Sequence, residues 1–295
     1  MSFRTKISYV VLINKYCKNW TSVLSKVFTH KATILVLRSG VLLEEVRDPV
    51  ALINLLNLGW EIEEHEETFI ILRNQYNITL KCRLKEGYDL GHIVEIFEKE
   101  DYNQNLKNAT VIDVGASTAD SSIYFATKGA KVVYGIEPMK ESYDLGLYNV
   151  KINHFEDKVQ LMNAALGIAT GELELTVSSR DPNSNSVEPT ETVKKKGIIF
   201  DSKRIVKSIS IRDIIARYGL SKIDLLKMDC EGCEYDVFRN IEDETISRIR
   251  NIILEFHDGI QFLAEFLEKM GYSVTYEHST GTGILKARRD TIEVE

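Results

Sequence analysis

Residues 110–122 have the sequence TVIDVGASTADSS, in which an apolar run is followed by a glycine turn and a polar segment. We interpret 110–114 as a buried strand and expect a helix to begin near Ser121. Gly115 allows close backbone approach at the turn, and the small Ala116 and Ser117 keep it tight. Ligands of open parallel sheets bind beyond the carboxyl ends of the strands. The stretch therefore predicts a ligand-binding turn, although a turn that serves packing alone remains an alternative.

Four more short apolar runs follow, separated by segments of helical length. They lie at 131–136, 159–164, 223–228 and 252–256. Strands that are apolar on both faces and alternate with helices indicate a parallel sheet covered on both sides. The segments 272–277 and 284–288 then predict a closing antiparallel hairpin. We expect an α/β, Rossmann-like fold with a mostly parallel sheet and a C-terminal antiparallel hairpin, which resembles the class I methyltransferase sheet.

The first 88 residues have a different texture and predict a small α+β extension, so we place the domain boundary between 1–88 and 89–295. Two hairpins are expected at 34–43 and 68–83, with a helix after Asp48-Pro49. The apolar hairpins within 31–83 could form a homodimer interface. In the second domain, the polar stretch 178–208 predicts a solvated loop, with a mobile lid over the acceptor as the alternative.

Composition narrows the class of protein. The 295 residues carry a formal net charge of -7, so no global basic field exists to hold a nucleic acid. The apolar run at 9–13 is too short for a membrane span or a leader. Four cysteines suit a reducing compartment, and we expect a cytoplasmic protein. Zinc would require four ligands and no second cysteine pair exists, so Cys230 and Cys233 are interpreted as packing cysteines. Zinc binding completed by His257 and Asp229, and redox chemistry, remain alternatives.

Polar groups at three successive strand ends predict a nucleoside cofactor. Glu137 is suited to accept both ribose hydroxyls, and Asn163 can read an adenine edge. A dinucleotide would require glycine where Ser117 and Asp120 stand, and a carboxylate would repel its phosphates. The same carboxylates attract the positive sulfonium of S-adenosylmethionine (SAM). The charge of the predicted site therefore favours SAM over a dinucleotide. The predicted cofactor-binding residues are Asp113, Gly115, Ala116, Ser117, Glu137, Pro138, Asn163, Ala164 and Asp229.

The predicted acceptor side lies at the ends of the fourth and fifth strands. Asp229 ends the fourth strand, and Glu255 and His257 end the fifth. An imidazole that titrates near neutrality can take a proton from an acceptor hydroxyl. We therefore predict His257, Asp229 and Glu255 as the catalytic residues. Helix capping by Asp229 and a structural His257 remain alternatives. No metal is assigned, but a divalent cation held by carboxylate oxygens stays open.

The chain resembles the FkbM-type methyltransferases. The resemblance is carried by Asn149, Asn153 and the segments 111–116, 136–138, 163–167, 223–234 and 253–257, and it covers about residues 85–260. It implies SAM binding by Asp113, Gly115, Glu137 and Asn163, and O-methylation of a hydroxyl, often on a sugar or a polyketide-like molecule. The family usually has Asn-Ile-Gly where this chain has Ser117-Thr118-Ala119, which puts the site of the cofactor's amino-acid end in question.

These observations predict a SAM-dependent methyltransferase that O-methylates a hydroxyl of a sugar, a glycan or another small molecule. Two other functions stay open. A non-catalytic SAM-binding module would bind SAM without transferring its methyl group. A nicotinamide-dependent oxidoreductase would bind NAD and not SAM.

Overall fold

The computed structural model describes residues 3–27 (with side chains from residue 8), 32–178, 185, 199–277 and 281–289. The chain divides into two compact units, Met1–Asp101 and Tyr102–Glu295. The sequence-based boundary at 88/89 assigns the intervening segment to the second domain, and that boundary stays a prediction. Across the described ranges, each helix is too short or too polar to cross a bilayer.

The first unit is a small α+β assembly. Its helices are α1 (Phe3–Tyr16), α2 (Trp20–Val27), α3 (Pro49–Asn57) and α4 (Asp89–Ile93), the last continuing as a π-helical turn (Val94–Glu98). Its strands are β1 (Thr33–Val36), β2 (Leu42–Val46), β3 (Glu61–His65), β4 (Phe69–Arg73) and β5 (Thr79–Arg83). They form an antiparallel pair, β1-β2, and a three-stranded sheet, β3-β4-β5. The predicted start of α3 is confirmed, because the Asp48 carboxylate accepts a hydrogen bond of 2.9 Å from the amide of Ala51.

The second unit contains a seven-stranded sheet. Its strands are β6 (Thr110–Val114), β7 (Val132–Ile136), β8 (Val159–Met162), β12 (Ile223–Met228), β13 (Ile249–Phe256), β14 (Ser273–Tyr276) and β15 (Gly283–Arg288). The strand order is β14-β15-β13-β12-β6-β7-β8, and only the pairings made by β15 are antiparallel. The predicted α/β fold with a mostly parallel sheet and a C-terminal antiparallel hairpin is confirmed.

Most helices of the second unit begin at turns that follow strands, and α9 follows α8. They are α5 (Asp120–Thr127), α6 (Lys140–Ile152), α7 (Ile211–Tyr218), α8 (Cys233–Asn240), α9 (Asp243–Ser247) and α10 (Gln261–Lys269). They cover a sheet whose central strands are buried on both faces: Ile112 and Leu226 on one face, and Val111 and Leu225 on the other, have no exposed surface. Helices against both sides of such strands explain why the strands are almost continuously apolar.

A second, three-stranded sheet corrects the interpretation of 178–208 as a loop. Strands β9 (Ala165–Leu166), β10 (Gly171–Val177) and β11 (Ser202–Ile209) lie in the order β10-β11-β9. Strand β11 escapes notice because five of its first six side chains are polar or exposed, which gives no apolar run. The part of that stretch on which the lid prediction depends, 179–184 and 186–198, lies outside the described residues.

Candidate cofactor and acceptor site

The turn after β6 is held against the end of β12 by a glycine. Gly115 has a φ of +71°, and a Cβ there would lie 1.8 Å from the carbonyl oxygen of Asp229. The amides of Gly115 and Ala116 both donate to the carbonyl oxygen of Ile136, at 3.0 Å. The residue after β6 must therefore be glycine, because any side chain would push the ends of β6 and β12 apart.

A buried ion pair supports this turn from below. Lys227 Nζ lies 3.3 Å from Asp113 Oδ1 and donates to the carbonyl oxygens of Val114, at 3.2 Å, and Gly115, at 3.0 Å. Burial lowers the pKa of Lys227, but the charge of Asp113 and its neighbours outweighs burial, and the net pKa is raised. Lys227 is therefore a cation that fixes the two carbonyl groups of the turn.

Asp113 is placed to shape the site. Its side chain has no exposed surface and accepts hydrogen bonds from the hydroxyls of Ser121, at 2.7 Å, and Ser122, at 2.5 Å. These contacts, together with the ion pair to Lys227, account for its burial as a charge. The partners observed for Asp113 are side chains of the protein itself. Its contact with the cofactor stays a prediction.

Glu137 joins the turn to the end of β7. Its Oε2 accepts from the amide of Ser117 at 3.0 Å, and its Oε1 accepts from the amide of Met139 at 2.8 Å. The Asn163 side-chain amide donates to the carbonyl oxygens of Glu137, at 3.0 Å, and Pro138, at 2.9 Å. Each oxygen of an ionised carboxylate can accept more than one hydrogen bond, so this fixed group suits a ribose diol.

The departure from the family pattern is visible in the backbone. Ser117 has a φ of +43° and Ala119 a φ of +64°. Ala119 therefore adopts the left-handed conformation where the family usually has glycine. The Asn149 side-chain amide donates to the carbonyl oxygen of Thr118 at 3.0 Å and helps to hold this conformation. Ala119 therefore takes a backbone conformation that glycine adopts more readily.

The ends of β12 and β13 bring the predicted acceptor residues together around one imidazole. His257 Nε2 lies 3.8 Å from Asp229 Oδ1 and 3.9 Å from Glu255 Oε1. Glu231 Oε2 is closer, at 3.5 Å. His257 is 1% exposed, whereas the carboxylates of Asp229 and Glu255 reach solvent. All three predicted catalytic residues thus lie at one edge of the sheet.

A fourth carboxylate at this cluster is one to which the sequence analysis gave no role. Glu234 has no exposed surface, and its Oε1 lies 2.9 Å from His257 Nδ1. Burial lowers the pKa of His257, but the hydrogen bond and charge of Glu234, with Glu231 and Asp229, raise it from 6.5 to about 10. His257 is therefore an imidazolium at neutral pH in the protein without ligands. The available signal was an acid five residues after Asp229, at the start of a helix.

The same cluster offers ligand atoms for a metal. Single ligand atoms of Asp229, Glu255 and His257 lie within 4.8 Å of one another, as do those of Cys230, Cys233 and Glu234. At the first group, the imidazolium already supplies a positive charge among the carboxylates. At the second, Cys230 and Cys233 are joined as a disulfide, and disulfide sulfurs are not thiolate ligands. Their interpretation as packing cysteines is wrong.

The comparisons with known proteins identify methyltransferases as relatives of this chain. A family model described as the methyltransferase FkbM domain matches residues 113–274. The methyltransferase sdnD of Sordaria araneosa is 27% identical over an alignment of 213 positions that covers 63% of this chain and 82% of that protein. The 31-O-demethyl-FK506 methyltransferase FkbM of Streptomyces tacrolimicus is 36% identical over 72 residues, or 23% of this chain and 28% of that one.

Two solved structures with a similar fold are named as methyltransferases. A SAM-dependent methyltransferase from Agrobacterium tumefaciens has a TM-score of 0.44 and 9% identity, with 78% of this chain and 72% of that chain covered. The magnesium protoporphyrin IX methyltransferase ChlM of Synechocystis, solved with bound SAM, has a TM-score of 0.40 and 14% identity, with 68% and 81% covered.

Proposed function

The chain belongs to the FkbM methyltransferase family and takes SAM as its cofactor, and from this premise we propose that it methylates a hydroxyl oxygen of a small-molecule acceptor. Sugars, glycans and polyketide-like polyols are the acceptor classes that we favour. The net charge of -7 disfavours a nucleic acid as the acceptor.

The residues present fit the cofactor. Glu137 would hold the ribose hydroxyls, and Asn163 and Ala164 would lie against the adenine. The turn of Gly115 would receive the amino-acid end, and Asp229 would face the sulfonium side. When bound, SAM supplies a methyl group on a positively charged sulfur, and negative potential at the strand ends is suited to that charge. A dinucleotide would place its negatively charged phosphates beside the same carboxylates, and the repulsion between them would weaken its binding.

The observation that carries the oxygen acceptor is the imidazole of His257 among carboxylates at the ends of β12 and β13. A hydroxyl is a poor nucleophile until its proton leaves, and Nε2 of His257 is the group that we propose takes it. Because His257 is an imidazolium at neutral pH in the protein without ligands, its ring must first release the Nε2 proton to solvent. As the oxygen–carbon bond then forms, the carbon–sulfur bond breaks, its electron pair stays on sulfur, and the hydroxyl proton goes to Nε2 of the neutral ring. Asp229 would orient the acceptor, so the site acts mainly by positioning.

The cofactor assignment is tested by calorimetric titration with SAM, its demethylated product S-adenosylhomocysteine and NAD. Wild type should bind SAM and its product, and Glu137→Ala should weaken both by at least about tenfold, or about 1.4 kcal/mol. Exposed Glu156 provides the matched control, since Glu156→Ala removes the same group away from the turn. Binding of NAD alone would favour an oxidoreductase.

The oxygen acceptor is tested with methyl-labelled SAM and a panel of monosaccharides, oligosaccharides and macrocyclic polyols, with bulk transfer RNA and protein as counter-screens. A labelled methyl group bound to a former hydroxyl oxygen, located by NMR of the product, supports the proposal. Label on nitrogen or on nucleic acid contradicts it. SAM binding without transfer to any member favours the non-catalytic module.

A further inference from the structure

We infer that Glu234 is a positioning residue of the acceptor site: through Nδ1 it fixes the imidazole of His257, so that Nε2 is the atom that exchanges a proton with the acceptor. The inference rests on the proposed function for its place in the reaction. The contact between Glu234 and His257 does not depend on the proposed function, and the first test below needs no methyl acceptor.

Glu234 is held in one orientation by two bonds on opposite oxygens. Its Oε1 lies 2.9 Å from His257 Nδ1, and its Oε2 accepts from the amide of Gly232 at 3.0 Å. The side chain has no exposed surface, and Gly232 precedes α8 with a φ of +115°. A buried carboxylate that is bonded at both oxygens has little freedom to rotate. The ring of His257 therefore takes its orientation from the first turn of α8.

The pairing decides which ring nitrogen carries the exchangeable proton. An ionised carboxylate only accepts hydrogen bonds, so Nδ1 must keep its hydrogen in both charge states of the ring. Nε2 is then a donor in the imidazolium and an acceptor in the neutral ring. Without Glu234, the neutral ring could carry its hydrogen on either nitrogen. In the rings that carry it on Nε2, that atom could not accept the proton of the acceptor.

The other groups that face His257 differ from Glu234 in distance and exposure. Asp229 at the end of β12, Glu231 in the following turn and Glu255 in β13 lie 3.5–3.9 Å from Nε2, beyond a hydrogen bond. The Tyr235 hydroxyl is held by the chain just after His257: it accepts from the amide of Asp258, at 2.7 Å, and donates to the carbonyl oxygen of Gly259, at 2.8 Å. The three carboxylates set the local potential, whereas Glu234 makes the directional bond to the ring.

The first test follows His257 itself by NMR, using the Cε1–Hε1 signals across pH, with His257→Gln to identify its signal. In wild type, we expect His257 to titrate well above the ordinary value of 6.5. Glu234→Gln should lower this pKa by one unit or more, because an opposite charge at hydrogen-bond distance favours the imidazolium by about 1–3 units. Glu234→Asp, which keeps the charge, should give an intermediate value.

Asp236 offers the matched control on the same helix. Its carboxylate is exposed and lies 3.4 Å from Arg239. Asp236→Asn removes one charge from α8 and should leave the pKa of His257 unchanged. A Glu234→Gln protein that folds and keeps the wild-type pKa of His257 overturns the inference. If that variant does not fold, a wild-type pKa in Glu234→Asp overturns it equally.

The second test uses the rate, once an acceptor is found. On the alkaline plateau of the rate, where the His257 ring is neutral in both proteins, Glu234→Gln should reduce kcat by about 10²-fold or more, the usual contribution of a positioned proton acceptor, with little change in KM for SAM. Its rate should also rise with pH at lower pH than in wild type. Equal losses in kcat and SAM affinity would overturn the inference. A shifted His257 pKa with no methyl transfer would leave the pairing standing and count against the proposed function alone.

Discussion

Lys227 Nζ and Asp113 Oδ1 lie 3.3 Å apart on adjacent strands, and both side chains are almost wholly buried. Removing one partner of a buried pair leaves an uncompensated charge, which costs about 3–5 kcal/mol. Lys227→Met should therefore lower the free energy of unfolding by that amount. It should also weaken SAM binding, because the carbonyl groups of Val114 and Gly115 lose their donor. Urea unfolding and calorimetry measure the two effects.

The double variant separates charge from packing. Asp113→Asn together with Lys227→Met removes both charges, so it should lose less stability than the sum of the single variants. Exposed Lys222, which lies 2.9 Å from Asp224, is the control, and Lys222→Met should change stability by less than about 1 kcal/mol. Additive losses would mean that the pair is not coupled.

Gly115 gives a second prediction. Gly115→Ala places a Cβ 1.8 Å from the carbonyl oxygen of Asp229 at a φ of +71°, so the turn or the end of β12 must move. SAM affinity should fall at least about tenfold, or about 1.4 kcal/mol. Gly171→Ala is the control, since the nearest atom to its Cβ lies 4.0 Å away. Unchanged SAM affinity in Gly115→Ala would show that the turn does not carry the cofactor.

The central sheet could be predicted because its strands are apolar on both faces, a pattern that burial alone produces. Strand β3 was missed because Glu61, Glu63 and Glu64 interrupt any apolar run, and its side chains are mostly exposed. Its pairing with β4, which has a register shift, supplies the structure that the side chains do not indicate.

The candidate site divides in the same way. Asp229, Glu255 and His257 could be placed together because parallel strands bring their carboxyl ends to one edge. The bond between Glu234 and His257 joins residues 23 positions apart, and it depends on the turn at Gly232 from which α8 begins. The sequence does contain a signal for the Asp113–Lys227 pair: residues of opposite charge stand within two largely apolar strands, and those strands pair in register.

The disulfide between Cys230 and Cys233 yields a third prediction. It closes a loop with a sequence separation of 3, and such a short loop removes little unfolded-state entropy, so we expect about 2 kcal/mol of stability at most. Unfolding with and without dithiothreitol measures this difference. The double variant Cys230→Ser/Cys233→Ser should have the unfolding free energy of the reduced wild type, and dithiothreitol should not change it. Alkylation of both residues in the native, unreduced protein would show that the bond is absent.

His257 links stability to pH. Its folded-state pKa of about 10 lies above the ordinary 6.5, so the proton binds the folded protein more tightly than the unfolded chain. The stabilisation is fully present below pH 6.5 and is lost as the pH rises towards 10. In that window the free energy of unfolding should fall by at most about 1.4 kcal/mol per pH unit.

Subtracting the curve of a variant isolates this proton from the other groups that titrate. His257→Gln cannot bind it, so its unfolding free energy should lie below that of wild type at pH 6.5, and the two curves should converge as the pH approaches 10. The positive sulfur of SAM competes with the His257 proton for the carboxylates of Asp229 and Glu255. Saturating SAM should therefore flatten the wild-type curve of unfolding free energy against pH more than S-adenosylhomocysteine does, because the sulfur of that product is uncharged. Parallel curves for wild type and His257→Gln would mean that the carboxylates around the ring do not hold a proton there, and the alkaline rise in rate expected of a His257 base would lose its physical reason.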